Sequence, residues 1–410
     1  MNQSLARTAA NPELPLSRRP VGLRAWILSR WFERLAFGRL SVEFPSGKRT
    51  TFKGVAPGPQ AAIRIRDLKI VNRLISGGDL GLAEAYMAGE WESPDLSALL
   101  HLGMANADVL DAVLDKTLPL RLIDRIRHAA HGNSRRGSRR NIAAHYDLGN
   151  EFYERWLDPS MTYSAGLFAH MDEDHTEAQR RKYLRLAAQL ELRPGDRVLE
   201  IGCGWGGFAE IAAKEFGCHV TALTLSTEQA EYARRRVACA GLAERVDVRL
   251  QDYRDVTGRF DKIASIEMFE AVGEKYWPVY FDALRRLLTP TGRAALQIIT
   301  IDDARFEAYR RNPDFIQRYI FPGGMLPGPK KVREASAAAG LTVTDHFTFG
   351  ASYAESLRRW DKDFQTAWPA ITALGFDERF FRMWRYYLCY CEVGFDRGVI
   401  DVAHFTLCHA

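Results

Sequence analysis

The stretch RVLEIGCGWGGFAE, residues 197–210, places glycines at 202, 204 and 207 between an apolar run and a helix-like one. The spacing G-x-G-x-x-G suits a strand that turns sharply into a helix beside a nucleotide-like ligand, although a tight turn that binds nothing needs small residues too. A dinucleotide would require an Asp or Glu about 20 residues on, at the end of the next strand, to take the ribose hydroxyls. The segment there is TALTLSTEQ, with Thr224 in that place. The sequence offers instead Glu200 inside the first motif and LQDYRD at 250–255, where Asp252 can accept from an adenine amino group and Tyr253 can supply an apolar face. These features point to S-adenosylmethionine, its amino-acid end over Gly202 and Gly204, which let the backbone approach closely.

A second group with chemical potential is Glu270, in IEMFEAVG just past a fourth strand, where open α/β sheets bind their ligands. An isolated Glu in such a segment also suits a surface carboxylate capping the next helix. Six cysteines (203, 218, 239, 389, 391 and 408) lack C-x-x-C pairs and histidines at ligand spacing, which argues against zinc and against a disulfide framework.

The elements that must position these groups follow from periodicity. RVLEI (197–201), HVTAL (219–223), VDVRL (246–250), FDKIASI (260–266) and GRAALQIIT (292–300) predict strands, with helical patterns between them at Thr227–Cys239 and Tyr276–Leu288. That alternation predicts a doubly wound α/β sheet with parallel strands. Beyond residue 300 the pattern changes to a helical insert (302–320), a loop FPGGMLPGP, helices over 354–391 and a last strand DVAHFTL. The aromatic-rich FFRMWRYYLCYCEVGF (380–395) predicts a core helix.

A chain of 410 residues, 26% charged and 47% hydrophobic, suits a globular protein of two domains with no uninterrupted apolar span across a bilayer. The Gly/Ser/Arg stretch 131–140 is the expected linker between a first domain (1–130) and a second (141–410). The N-terminus has no apolar signal region, which predicts a cytoplasmic protein. The first 50 residues carry nine Lys or Arg against three Asp or Glu, and RIRHAAHGNSRRGSRR (125–140) adds a second basic block. The expected partner is therefore an anionic surface, and no nucleic-acid motif is present. Residues 22–40 predict a basic amphipathic helix with Trp26, Ile27, Trp31 and Leu35 on one side. It would lie on membrane or pack on its own domain, and the pattern alone leaves both open.

HYDLGNEFYERWLDPSMTYSAG (145–166), VLEIGCGWGG, LTLSTEQ, QDYRD, IEMFEAVG and YIFPGGMLP (319–327) stand in an order that resembles the cyclopropane fatty acid synthase family. The likeness runs through roughly 141–395, and GDLGLAEAYMAGEWE (78–92) resembles the family's N-terminal domain. The resemblance implies a class I methyltransferase with a Rossmann-like α/β sheet and a helical insert beside a smaller N-terminal domain. It also implies S-adenosylmethionine-dependent methylation of a double bond in a phospholipid acyl chain, at the inner face of a membrane, by a homodimer. Cofactor contacts carried over by position are Tyr146, Tyr163, Ser164, Gly202, Gly204, Thr224, Gln229 and Tyr253.

The same resemblance places Glu270 and Tyr353 near a bound bicarbonate and assigns Ile299 to its cradle. Two other cradle positions differ: a cysteine is replaced by Ala165 and a histidine by Gln297. Methyl transfer to an alkene leaves a carbocation, which the faces of Tyr163, Tyr319 or Tyr353 can stabilise. A proton from the added methyl closes a cyclopropane, whereas a proton from the chain leaves a methyl-branched alkene. Alanine has no polar side-chain atom and glutamine takes up no proton, so the altered cradle predicts the methylated, still unsaturated product. Ring closure with Gln297 donating its amide to bicarbonate is the second reading. A non-catalytic lipid binder is a third, which the intact glycine motif disfavours.

Overall fold

The computed structural model describes residues 22–114 and 148–410. The basic stretch 125–140, the expected linker, His145 and Tyr146 lie outside the described residues.

Four strands, β1 (Phe37–Glu43), β2 (Arg49–Lys53), β3 (Ala56–Ile65) and β4 (Trp91–Glu92), form a sheet in the order β2-β1-β3-β4. Strands β1 and β2 are an antiparallel hairpin, and β3 runs parallel to β1. The helix expected over 22–40 is only Leu23–Phe32. Past it the period becomes two, with Leu40 and Val42 buried and Ser41 between them exposed. Gly38 adopts φ +79°, and a Cβ there would lie 2.1 Å from the Pro59 carbonyl oxygen, so strand pairing takes over. The short helix seats Ala25 and Leu28 in the core and leaves Leu23 and Trp26 exposed, so Trp26 is not on its packed side.

Strands β5 (Arg197–Ile201), β6 (His219–Thr224), β7 (Val246–Leu250), β8 (Phe260–Ile266), β9 (Leu288–Ile301), β10 (Leu341–Thr348) and β11 (Ile400–His409) form the second sheet, in the order β10-β11-β9-β8-β5-β6-β7. Strands β5 to β9 pair in parallel, and β11 enters antiparallel between β9 and β10. The sheet is thus the expected Rossmann-like one, with β11 as its single reversed strand. Its central strands are covered on both faces, which explains their near-continuous apolar character. Capping residues start the flanking helices where the sequence changes period: Asp174 accepts from the Thr176 and Glu177 amides, Ser226 from Gln229 and Asp377 from Phe380.

After β10 the chain folds into two long antiparallel helices, Gly350–Thr372 and Glu378–Asp396. Trp384, Tyr386 and Tyr387 of the second are buried in one apolar core that also contains Trp91, Leu96 and Leu102 of the N-terminal part. A polar joint accompanies it: buried Glu392 takes bonds from Ser97 and from Arg358 Nε (3.0 Å). The N-terminal part is therefore anchored to the helices that roof the second sheet.

Candidate active site

A cleft opens at the carboxyl ends of β5, β6, β7 and β8, where ligands of open α/β sheets bind. β5 ends in a turn whose Gly202 and Gly204 hold φ +83° and +53°, and the amides of Gly202 and Cys203 both donate to the Leu223 carbonyl of β6. A Cβ on Gly202 would lie 2.8 Å from Met268 Cγ, whereas one on Gly204 would project into open space. Glu200, buried on β5, lines the cleft, and among the described residues its Oε2 has no partner. Burial pushes its carboxyl up to about 8.

The other residues expected to bind cofactor surround that turn. Thr224 Oγ1 donates to Gln229 Oε1 (2.9 Å), and the Ser226 amide donates back to Thr224 Oγ1 (3.1 Å). Asp252 is clamped by Arg254, with Nε 2.9 Å from Oδ1 and Nη2 2.6 Å from Oδ2, and Tyr253 stands beside it. Tyr163 and Ser164 close the far side, the Ser164 hydroxyl accepting from Lys182 Nζ at 2.7 Å. Every described residue of the expected cofactor set lines this one cleft. The open space at Gly204 and the orphan oxygen of Glu200 fit a ligand that brings a hydrogen-bond donor to a compact end, as the ammonium of the zwitterionic amino-acid end of S-adenosylmethionine does.

A second and larger cavity, about 250 Å³ against about 150 Å³, adjoins the first. Both are lined by Tyr163, Glu267 and Ala271. The second is bounded mainly by apolar and aromatic groups from β9, the insert and the two long helices, among them Ile299, Phe321, Tyr353, Leu357, Tyr387 and Phe395. The Tyr353 ring stacks on Phe395 at 4.3 Å between centroids, and the Tyr163 and Tyr387 hydroxyls are hydrogen-bonded at 2.7 Å. The helix predicted as core thus serves both as core and as cavity wall.

At the junction sits Glu267, a residue the sequence reading passed over. Its Oε1 accepts from the Ala165 amide (2.8 Å) and from Gln297 Nε2 (2.7 Å), and its Oε2 accepts from the Tyr353 hydroxyl (2.7 Å). Removal from bulk water raises its pKa, against the lowering effect of those bonds and of Lys182. Gln297 is oriented in turn by buried His404, whose Nε2 lies 2.9 Å from Gln297 Oε1. Because the amide nitrogen faces Glu267, this oxygen accepts and His404 carries its proton on Nε2.

Glu270 also lines the second cavity instead of capping a helix at the surface. Its Oε1 accepts from the Ile299 amide at 2.5 Å, its Oε2 has no partner among the described residues, and burial together with the charge of Glu267 pushes it up to about 8. The groups assigned by resemblance to a bicarbonate cradle therefore face carboxylates of the chain itself: Ala165, Gln297 and Tyr353 bond to Glu267, and Ile299 bonds to Glu270. That arrangement does not fit a bound bicarbonate, whose donors are already engaged.

Tyr319 lies outside both cavity walls. Its hydroxyl donates to Glu84 Oε1 (2.7 Å) of the N-terminal part and its ring packs 5.4 Å from Phe315. Lys182 is a second residue that sequence reasoning missed. It is fully buried, bonded to Ser164 and Gln179 Oε1 (2.7 Å), and burial lowers its pKa. In RRKYLR it has no distinguishing mark beside its arginine neighbours, whereas Glu267 was visible as the first acid of IEMFE.

Residues 133–405 match the family described as mycolic acid cyclopropane synthetase. The tuberculostearic acid methyltransferase UfaA1 of Mycobacterium tuberculosis is 41% identical over 352 residues, covering 82% of this chain and 81% of its own. The cyclopropane-fatty-acyl-phospholipid synthase of Escherichia coli is 38% identical over 379 residues, covering 88% and 94%. Among solved structures, mycolic acid cyclopropane synthase CmaA1 complexed with SAH and CTAB superposes with a TM-score of 0.62 at 33% identity, over 66% of this chain and 97% of that one. With its Rossmann-like sheet and a glycine turn shaped for S-adenosylmethionine, the chain belongs to the mycolic acid cyclopropane synthetase family of S-adenosylmethionine-dependent methyltransferases.

Proposed function

We propose that this methyltransferase acts on the carbon–carbon double bond of an unsaturated acyl chain in a membrane phospholipid, and that its main product is a C-methylated chain that is still unsaturated. The observation that carries the substrate class is the apolar cavity joined to the cofactor cleft at Tyr163, Glu267 and Ala271. An alkene is a poor nucleophile, so two pockets meeting at one short wall supply the proximity that the reaction requires. When bound, S-adenosylmethionine supplies an electrophilic methyl group. The chain's own residues do the rest: Tyr163 and Tyr353 border the acyl cavity with aromatic faces suited to a cation, and the walls of the cavity keep water from capturing it.

The names of the related enzymes, one a tuberculostearic acid methyltransferase and one a cyclopropane-fatty-acyl-phospholipid synthase, bracket the two products in question. The engaged cradle around Glu267 favours the first outcome. Exposed Leu23, Trp26, Phe37 and Val55, on a part of the chain rich in arginine, suit peripheral contact with an anionic membrane at its inner face. No described helix is long and apolar enough to cross a membrane.

Gas chromatography with mass spectrometry of total fatty acids, from cells lacking their own synthase and expressing this protein, tests the product. A chain heavier by one methylene that still adds across a double bond is the expected result. Cyclopropane as the sole product would overturn the product assignment and leave the acyl substrate standing.

A further inference from the structure

Resting on the acyl-methylation reading, we propose that Glu267 is a catalytic residue: the built-in base that takes the proton from the methylated chain, standing where an external anion would otherwise be needed. Among the described residues it is the one carboxylate common to the walls of the cofactor cleft and the acyl cavity, so it faces both reactants. Its orientation is fixed by donors from three separate elements: the Ala165 amide on the loop before the helix His175–Leu190, Gln297 on β9, and Tyr353 on the helix Gly350–Thr372. His404 on β11 holds Gln297 in the donating orientation, which makes Gln297 and His404 positioning residues.

Two details favour chemistry over structure for this carboxylate. Glu267 holds φ +49°, a left-handed conformation that non-glycine residues rarely adopt and that is retained where the surroundings over-determine it. Its two oxygens are also unequal. Oε1 accepts two hydrogen bonds, whereas Oε2 accepts only that of Tyr353 and keeps a lone pair for a proton.

The step balances without another reactant. The alkene π pair forms the new carbon–carbon bond as the sulfur–methyl bond breaks and its electrons stay on sulfur, which leaves positive charge on the neighbouring chain carbon. A C–H bond on an adjacent carbon then breaks, its pair forms the new double bond, and the proton passes to Glu267 Oε2. The acyl chain has gained one methylene and one proton goes on to solvent.

The experiment uses the full chain, S-adenosylmethionine carrying a labelled methyl group, and vesicles of a cis-monounsaturated phosphatidylglycerol, in buffer purged of carbon dioxide and again with added bicarbonate. Wild type is expected to turn over equally in both. Glu267→Gln is expected to bind S-adenosylmethionine as wild type does in calorimetry and to lose at least about 100-fold in turnover. Glu267→Gly, which suits the left-handed backbone and so keeps the fold, is expected to lose as much and to recover with bicarbonate. In the buffer purged of carbon dioxide, turnover of either variant within about threefold of wild type overturns the assignment, as does a wild type that stops when bicarbonate is removed. A wild type that binds S-adenosylmethionine yet labels no acyl chain overturns the acyl reading instead.

Discussion

Replacing Tyr353 by Phe removes one hydroxyl from the junction and little else, because the stacking of this ring on Phe395 at 4.3 Å is retained. The hydroxyl donates to Glu267 Oε2 at 2.7 Å, a bond that stabilises the ionised carboxylate more than the neutral acid. A hydrogen bond to a charged group is worth about 1.5–3 kcal/mol, which corresponds to about 1–2 pKa units. The sign follows from the form that is stabilised: without the donor the carboxylate is less favoured and the Glu267 pKa rises. The other groups acting on Glu267, the Ala165 amide, Gln297 and the Lys182 ammonium, stay in place. A base must be ionised to act, so the acid limb of the pH–rate profile should move upward by about 1–2 units. Turnover at pH values below the wild-type acid limb should fall about 10- to 100-fold and return toward the wild-type plateau as pH rises past the shifted limb. Initial rates on phospholipid vesicles across the accessible pH range measure this directly, with S-adenosylmethionine affinity as the control. A profile that drops in height with its acid limb unmoved would refute the reasoning, since Tyr353 would then act on something other than the basicity of Glu267.

Gly204→Val fills the open space beside the glycine turn and forces a branched side chain to φ +53°. Calorimetry should show S-adenosylmethionine affinity weakened by at least about tenfold, with vesicle binding unchanged. Glu200→Gln reports through stability. The folded carboxyl sits near 8 against an ordinary 4.5, so the native state holds its proton more tightly than the unfolded chain does, and this contribution is complete below the ordinary value and lost as pH rises through about 8. The variant should therefore match wild type in thermal unfolding at acid pH and be the more stable above about pH 8, by up to about 5 kcal/mol. Equal stability of the two at alkaline pH would show that Glu200 is not buried as a neutral acid.

Most of the sheet was legible because its strands are short apolar runs separated by helical periods, a pattern that local sequence carries in full. β11 was visible as a strand, but its reversed direction depends on the two long helices that carry the chain back past β9. The helix expected over 22–40 ended early because apolar residues alone do not distinguish a helix from the paired strand that follows Gly38. The glycine turn, Glu200, Thr224 and Tyr253 stood at recognisable offsets from strand ends, so the cofactor cleft could be anticipated from spacing. The junction could not. Of the two acids in IEMFE, which one enters the cradle is decided by the backbone angle at 267 and by donors at positions 165, 297 and 353, far away along the chain. Tyr319 shows the converse: an aromatic in a conspicuous motif is drawn to Glu84, a partner in the other part of the molecule.

The left-handed angle at position 267 bears on how such a centre could arise. Glycine is the residue that occupies this conformation without strain, and glutamate and glycine codons differ by a single base. A cradle that carries its own carboxylate and one left open to a dissolved anion are thus adjacent in sequence space, with the same backbone serving both. A lineage could exchange dependence on a diffusible ion for a self-contained centre, or the reverse, without passing through a misfolded intermediate. Position 267 is accordingly the first place to look when relatives of this enzyme are sorted by product.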